Sequence, residues 1–555
     1  MTTGRPWINV TTLGDLIAQR AAEHPDREAI VFPDARFTYG ELEQVARNYA
    51  RGLLALGVGP GDRVGYFLHE CIDSAGILLG AAKVGAITVP LNARFKSFEL
   101  SQVVTHSGMS VLFTSRPAAP DLVGLVNETF PEIQNGAAGA LELVDAPELK
   151  ATVVLSDEGA PGFLTADDFD RLADDVDDQR VTEREAAVRV RDTAVIMYTS
   201  GTTAAPKGAM MSHEAFCRFA DAALVGRMGV QHDARIWTAL PMFHIGGVGF
   251  ALGTLYTGAT YVHVGFFDPA VAARQIRDEA CTIALPGFET IWVPIMTHPS
   301  RADGDLDSLE VVMCVGVEER LRQIQDSTPN ATLISCYGQT EACAFLSLNE
   351  LDDPLDMRVT TGGFPLPGME CEIHDPDSGA YLEPGNTGEL WYRGPQAFDG
   401  YFRDPELTSE VFDERGYFRT GDIVRMDVEG RISFDSRVKD MLKVGGENVS
   451  AAEVEGYLLT HPAVNMAQVV SAPDDRYVEV PAAYIQLKDG AEATEQEIID
   501  FCRGKIATFR VPRYVRFVEE YPMSGTKVKK VDLREDIRKD LADQGITEAP
   551  TITSG

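Results

Sequence analysis

Cysteine is present, but never in pairs. The eight cysteines, at 71, 217, 281, 314, 336, 343, 371 and 502, include no Cys-x-x-Cys and no regular spacing. Neither a zinc site nor a disulfide framework is expected. Positive charge is scarce: 49 Lys and Arg stand against 84 Asp and Glu, a net charge of −35. A duplex-binding protein needs a basic footprint, so nucleic acid is not an expected partner, and an anionic membrane would repel the average surface. Long apolar runs are also missing. The most apolar extended segment, "SAGILLGAAKVGAITVPLN", is interrupted by Lys83 and reaches Pro90, so it reads as helix, turn and buried strand instead of a transmembrane span. The stretch "MTTGRPWINVTTLGDLIAQRAAEHP" lacks the apolar core of a signal peptide, which points to a cytoplasmic protein. No repeat of fixed period is visible.

What is present suggests a large folded globular protein. The chain has 555 residues, 45% apolar and 24% charged, which predicts several units or one large multi-lobed domain. Between residues 10 and 110, helical spacing ("FTYGELEQVARNYARGLLALGV") alternates with strand-like runs ("GPGDRVGYFL"). This argues for an α/β fold with largely parallel sheet. Residues 117 to 190 are rich in Ala, Asp and Glu and read as a surface excursion of loops and exposed helices. Strand-like runs return from Asp192 to about Glu350, and from Phe364 to Phe434 the pattern becomes β-rich and more antiparallel. A boundary near Asp435 divides a large multi-lobed α/β domain with a β-rich sublobe (1–435) from a small, mobile C-terminal α+β domain (436–555).

The densest polar stretch is "YTSGTTAAPKGAM", Tyr198 to Met210. It follows the strand-like "DTAVIM" and precedes the helical spacing of "SHEAFCRFADAAL". Backbone N–H groups, hydroxyls and one cation in such a loop are phosphate ligands. It is not a Walker A loop, because Lys207 follows Pro206 and precedes Gly208, where that motif needs Gly-Lys-Ser/Thr. Four further segments carry chemistry-bearing residues. In "YGQTE", Glu341 is a candidate Mg²⁺ anchor; as a lone feature it reads first as a helix-capping carboxylate. In "YFRTGDI", Asp422 could grip two ribose hydroxyls, or simply close a β-turn. "SRVKDMLKVGGENVS" and "YPMSGTKVKK" would each alone be read as ordinary solvated loops.

Together, in this order and spacing, the five segments resemble the adenylate-forming superfamily of acyl-CoA synthetases, adenylation domains and luciferases. The likeness runs from "FTYGELEQVARNYARGLLALGVGPGDRV" to "KVKKVDLRE". The resemblance implies ATP, Mg²⁺ and CoA as cofactor or co-substrates. Thr199, Ser200, Gly201, Thr202, Thr203 and Lys207 would hold the β- and γ-phosphates. Thr340 and Glu341 would meet phosphate and Mg²⁺. Tyr337 in its loop with Gly338, and Gly316 opposite, would enclose the adenine. Asp422 would bind the ribose, with Arg437 close by. Lys527 would approach the substrate carboxylate and α-phosphate, Lys439 would sit at the hinge, and the face carrying Lys443, Gly445 and Gly446 would shape the thiol channel. His244 in "PMFHIGG" would stand beside the acyl pocket; it reads equally as a satisfied core histidine. The sequence departs from the family at Ala204, Val317, Glu318 and Thr526, positions where the family usually has Gly, Ala, Pro and a directly adjoining Gly.

The Lys439 hinge and intact Gly445-Gly446 pair resemble the acyl- and aryl-CoA ligase branch. The expected reaction activates a carboxylic acid as acyl-AMP with release of pyrophosphate, then transfers the acyl group to the CoA thiol after the C-terminal domain rotates. An acyl-AMP ligase serving a separate carrier protein, and a non-catalytic nucleotide-binding module of the same fold, are the alternatives. No carrier domain is seen after the small domain. The segments "FHIGGVGFALG", "LPGFETIWVP" and "YGQTEACAFLS" contain no Lys or Arg, which favours a hydrophobic monocarboxylic acid, fatty, aryl or polycyclic. Homodimers are common among proteins of this kind; nothing in the sequence decides the oligomeric state.

Overall fold

A computed structural model describes residues 9–116, 121–199, 206–302, 304–316, 318–376, 378–437, 441–524, 527–528 and 530–552. The chain forms two compact units. The first comprises Met1–Ala93, Ser107–Met197 and Gly208–Ser436; the second comprises Arg94–His106, Tyr198–Lys207 and Arg437–Gly555.

The first unit is built on two seven-stranded sheets. A hairpin of β1 (Glu28–Val31) and β2 (Arg36–Thr38) belongs to one of them. The other contains β3 (Arg63–Phe67), β4 (Ile87–Pro90), β5 (Val111–Thr114), β6 (Ala151–Val154), β7 (Phe163–Thr165), β8 (Thr193–Thr199) and β9 (Lys207–Ser212). Its order is β7-β6-β5-β3-β4-β8-β9, and the pairings from β7 through to β8 are parallel. The hairpin's sheet is completed by β10 (Arg235–Thr238), β11 (Thr260–His263), β12 (Ile283–Phe288), β13 (Val311–Val315) and β14 (Thr332–Ile334). Its order is β14-β13-β12-β10-β11-β1-β2. Strands β4, β5, β6 and β11 are buried at every position, as expected for parallel strands covered on both faces.

The helices follow local rules. Tyr39–Ala55 starts at a capping box made by Thr38 and Glu41. Ile72–Val84 is buried from Ser74 to Val84 and stops at Gly85 in the left-handed region (φ 76°). Lys83, read in the sequence as the break in an apolar run, is fully buried there. Its ammonium lies 2.8 Å from Glu43 Oε2 and 2.8 Å from Glu185 Oε1, and donates to the Gly14 carbonyl at 3.2 Å. One cation thus ties four helices together. Among the described residues no helix is long and apolar enough to cross a membrane.

Two sequence readings need correction. Residues 117–190 are more than a surface excursion. They supply β6 and β7 to the sheet, and Phe169 in the helix Ala166–Asp174 is buried beside Tyr49 and Phe113, with ring centroids 5.5 and 5.2 Å away. The acidic surface of that helix masked its apolar face. The polar loop after β8 leads into β9, which lies beside β8, and the helix His213–Phe219 begins only after β9. A strand of that length spans about 20 Å, so that helix's N-terminus stands a strand's length from Lys207.

The β-rich lobe is a five-stranded sheet of Glu370–His374, Tyr381–Leu382, Thr387–Arg393, Phe418–Met426 and Ile432–Arg437, antiparallel in the pairings among its first four strands. The second unit has its own sheet, centred on the long antiparallel pair Val464–Asp474 and Val478–Leu487. Within this unit the segment 94–106 packs on the C-terminal residues through charge. Glu99 Oε1 accepts from the Ala507 N–H at 2.8 Å and lies 3.4 Å from Arg510 Nη1, while Arg510 Nη2 lies 3.1 Å from Glu453 Oε2.

Candidate active site

The site of the first unit is assembled from short, irregular pieces between sheets. Cys336–Tyr337 pairs with Ser347–Leu348, and a tight turn at Thr340–Ala342 lies between them. The turn is held under backbone strain: Cys343 (φ 56°) and Ala344 (φ 95°) both occupy the left-handed region without being glycine. Gly338 permits this, because a Cβ there would stand 2.0 Å from the Ala344 carbonyl oxygen. Gln396 fixes the far side, its Nε2 donating to the carbonyls of Ala342 and Phe345 at 3.0 and 2.7 Å. Glu341 is therefore placed by its surroundings and not by its own short turn.

Two buried hydroxyl–carboxylate bonds organise the centre. The Tyr401 hydroxyl donates to Glu341 Oε1 at 2.8 Å. The Tyr337 hydroxyl donates to Asp422 Oδ2 at 2.7 Å. Burial, and then the Glu341 charge, hold the Tyr401 hydroxyl far above the usual phenol range, so it remains a neutral donor. Asp422 lies in the strand Phe418–Met426 just after Gly421 (φ 69°), and its own N–H donates to the Thr420 hydroxyl at 3.0 Å. The Tyr337 ring is near-parallel to that of Phe434, with centroids 6.2 Å apart. Gly316 follows β13, and a Cβ there would meet Glu289 Oε2 at 2.4 Å, so only glycine fits without displacing that carboxylate.

His244 is the N-cap residue of the helix Ile245–Thr257 and is half-buried, its ring 4.8 Å from that of Phe243. Gly247 lies in the first turn of this helix, where a Cβ would be 2.0 Å from the Pro241 carbonyl oxygen. Glu318 opens the helix Glu318–Ser327 and pairs with Arg322 at 2.8 Å. At this departure from the family pattern, the side chain is engaged with its own helix.

In the second unit, Thr199 ends β8 and Lys207 begins β9, and the Tyr198 hydroxyl lies 2.8 Å from His106 Nδ1. Gly445 (φ 57°) and Gly446 (φ 87°) form the two-residue turn of the hairpin Met441–Val444 and Glu447–Ser450. That turn requires positive φ at both positions. The Lys443 N–H donates to Glu479 Oε2 at 3.0 Å. Lys527 pairs with Ser524 in a small hairpin. Ser200, Gly201, Thr202, Thr203, Ala204, Val317, Lys439 and Thr526 lie outside the described residues, as do the side chains of Arg437 and Lys527.

The residues present suit a nucleotide and one divalent cation. Glu341 offers a single carboxylate, and Mg²⁺ bound mainly through phosphate oxygens needs no more than one or two from the protein; among the described residues no cluster of three metal-ligating side chains exists. The sequence pattern of the AMP-binding enzymes spans residues 17–402, and that of the AMP-binding enzyme C-terminal domain spans residues 453–528. The chain belongs to the AMP-binding enzyme family. It is 33% identical to the YngI protein of Bacillus subtilis (strain 168) over 95% of this chain and 97% of that one. To the mitochondrial medium-chain acyl-CoA ligase ACSF2 of Mus musculus it is 32% identical, over 96% of this chain and 88% of that one. Among solved structures, the Mycobacterium tuberculosis fatty acyl CoA synthetase is 27% identical with a TM-score of 0.67, covering 95% of this chain and 99% of that one. The amide bond synthetase McbA from Marinactinospora thermotolerans is also 27% identical, with a TM-score of 0.78 and the same coverage. The α/β fold with a large AMP-binding part and a small C-terminal part is that of the family.

Tyr401 and Gln396 were missed from sequence. Neither lies in a run of Gly, Ser and Thr, and each acts on a turn more than fifty residues away.

Proposed function

We propose that this AMP-binding enzyme is an AMP-forming acyl-CoA ligase acting on a hydrophobic monocarboxylic acid. The observation that carries the reading is the pair of buried bonds Tyr401–Glu341 and Tyr337–Asp422, which fix two carboxylates in the motifs that the family uses for metal and ribose. Full-length likeness to acyl-CoA ligases supports it.

In this reading the loop of Thr199 to Thr203, with Lys207, holds the β- and γ-phosphates. Asp422 takes the ribose hydroxyls with Arg437 nearby, and Tyr337, Gly338 and Gly316 enclose the adenine. Glu341, beside Thr340, would hold Mg²⁺, which when bound would supply charge neutralisation at the phosphates. A carboxylate oxygen of the acid attacks the α-phosphorus, and the bond to the departing pyrophosphate breaks. Two anions must meet, so the Lys527 ammonium is assigned to the charge that develops there. The CoA thiol then attacks the acyl carbonyl and AMP leaves. Lys439 serves as the hinge of a domain alternation, with the domain boundary near residue 435, and Lys443, Gly445 and Gly446 line the thiol path. The segments Phe243–Gly253, Leu285–Pro294 and Tyr337–Ser347 carry no cation to pair a second carboxylate, which is why a monocarboxylic acid is assigned, with His244 at its entrance.

The test is thioester formation followed by mass spectrometry, with ATP, Mg²⁺ and CoA, across short, medium, long, aryl and steroid-type acids, beside Lys527→Ala. A thioester that the variant cannot form establishes the ligase. Accumulation of acyl-AMP alone assigns a different acceptor, and absence of pyrophosphate release with every acid overturns the catalytic reading.

A further inference from the structure

The residues that follow β3 hold a buried carboxylate that none of the roles above uses. Glu70 Oε2 accepts the N–H of Met242 at 2.8 Å. From within the same strand, the Tyr66 hydroxyl donates to the Met242 carbonyl at 2.7 Å. Both backbone polar groups of Met242 are thus gripped from one strand end. Met242 lies two residues before His244, which caps the helix carrying Gly246, Gly247 and Gly249. Tyr66 is fully buried, and Glu70 Oε1 is buried with no hydrogen-bond partner among the described residues. Burial pushes the Glu70 carboxyl up to about 8, the Met242 N–H opposing the shift. A carboxyl group costs free energy in such a place unless something requires it; a leucine would fill the space without that cost.

The requirement lies in the loop. The segment Leu240–His244 leaves β10 and turns into a helix with irregular backbone, and its N–H and C=O groups need partners that no regular ladder provides. Thr238 satisfies the Leu240 N–H through its hydroxyl at 3.1 Å, and His263 Nε2 meets the Leu240 carbonyl at 3.3 Å. Glu70 and Tyr66 complete the set at Met242. Within the segment the His244 N–H donates to the Pro241 carbonyl at 3.0 Å, and the remaining partners named are side chains, so sheet pairing does not set the loop's course.

We propose that Glu70, together with Tyr66, is a positioning residue for the acyl side of the active site: its bond to the Met242 N–H sets where His244 and the start of the helix Ile245–Thr257 stand. The inference rests on the assignment of His244 to the acid site. A glutamine can make the same bond through its carbonyl oxygen, and an alanine cannot.

The experiment compares the full chain with Glu70→Gln, Glu70→Ala and Tyr66→Phe. Hydrogen exchange of the peptide covering 240–250 is read first, because it reports on the clamp whether or not the enzyme turns over. Steady-state kinetics with octanoate as the acid then give KM for acid and for ATP separately. In Glu70→Ala, exchange in the peptide is expected to quicken about tenfold or more and the octanoate KM to rise about tenfold, with the ATP KM within about twofold. Glu70→Gln restores both values to near those of the parent, and Tyr66→Phe falls between. Unchanged exchange in Glu70→Ala overturns the clamp. Equal rises in the two KM values, or failure of Glu70→Gln to rescue, overturn the positioning role. If the parent forms no product from octanoate while exchange still quickens in Glu70→Ala, the clamp stands and the octanoate specificity or the ligase reading is what fails.

Discussion

The Tyr401 hydroxyl donates to Glu341 Oε1 at 2.8 Å, and both side chains are buried. Glu341 is the carboxylate assigned to the metal, and Tyr401 orients it. Tyr401→Phe removes the donor and leaves the ring. We expect a loss of roughly 1–3 kcal/mol of stability from the desolvated carboxylate, and a fall in kcat of up to about a hundredfold through misplacement. The Mg²⁺ concentration needed for half-maximal rate should rise. An unchanged Mg²⁺ dependence would separate Tyr401 from the metal role.

Lys83 is predicted to be the most sensitive structural charge in the first unit. Removing it leaves Glu43 and Glu185 buried together with Arg47 as their remaining cation, at 3.7 and 3.8 Å. Lys83→Met should cost about 3–5 kcal/mol, read as a drop in the urea midpoint. Adding Glu43→Gln to that variant should recover part of the loss, since burial already pushes the Glu43 carboxyl upward.

If the turn at Gly445 and Gly446 lines the thiol path, as proposed, a change there is expected to separate the two half-reactions. Gly446→Val forces a β-branched residue to φ 87° at a local cost of about 1–2 kcal/mol or more. Acid-dependent pyrophosphate release is expected to persist, while thioester formation falls. Equal loss of both steps would remove the hairpin from the thiol path.

Glu70 gives stability a pH dependence of defined sign. Its folded-state value is raised to about 8, mainly by burial, from an unfolded value near 4.5. The folded chain therefore holds a proton that the unfolded chain releases. This contribution is complete below pH 4.5 and is lost as pH rises through 8. The groups coupled to it do not titrate in that window: Cys71 is pushed up to about 12, and the Tyr66 and Tyr261 hydroxyls lie well above their usual value. His263, whose ring stacks on that of Tyr261, is pushed down to about 3 by burial. His69 is the adjoining residue and is retained in both proteins compared. Glu70→Gln should therefore gain stability relative to the parent between pH 6 and pH 9, measured as the difference in urea midpoints. A constant difference across that range would contradict the assignment.

Much of the architecture was legible in the sequence because it is local. The apolar run of the helix Ile72–Val84 and the alternation of helix and strand report on neighbours a few residues apart. The glycine pair at 445 and 446, read alone as part of a solvated loop, closes a hairpin in the structure. The segment 117–190 misled because its acidic composition reflects the solvent face of the helix Ala166–Asp174, while the buried Phe169 and Ala173 fix the other face.

The sequence by itself determined the α/β class, the order of the motifs and, through them, the family. The tertiary structure decided which groups meet. Tyr401 reaches Glu341 across 60 residues, Tyr337 reaches Asp422 across 85, Lys83 reaches Glu185 across 102 and Met242 reaches Glu70 across 172. Hydrophobic periodicity reports which face of an element is buried, but not which element will cover it. That depends on the strand order of two sheets and on the irregular loops that leave them, where backbone groups without a ladder partner must be met by side chains from elsewhere in the chain.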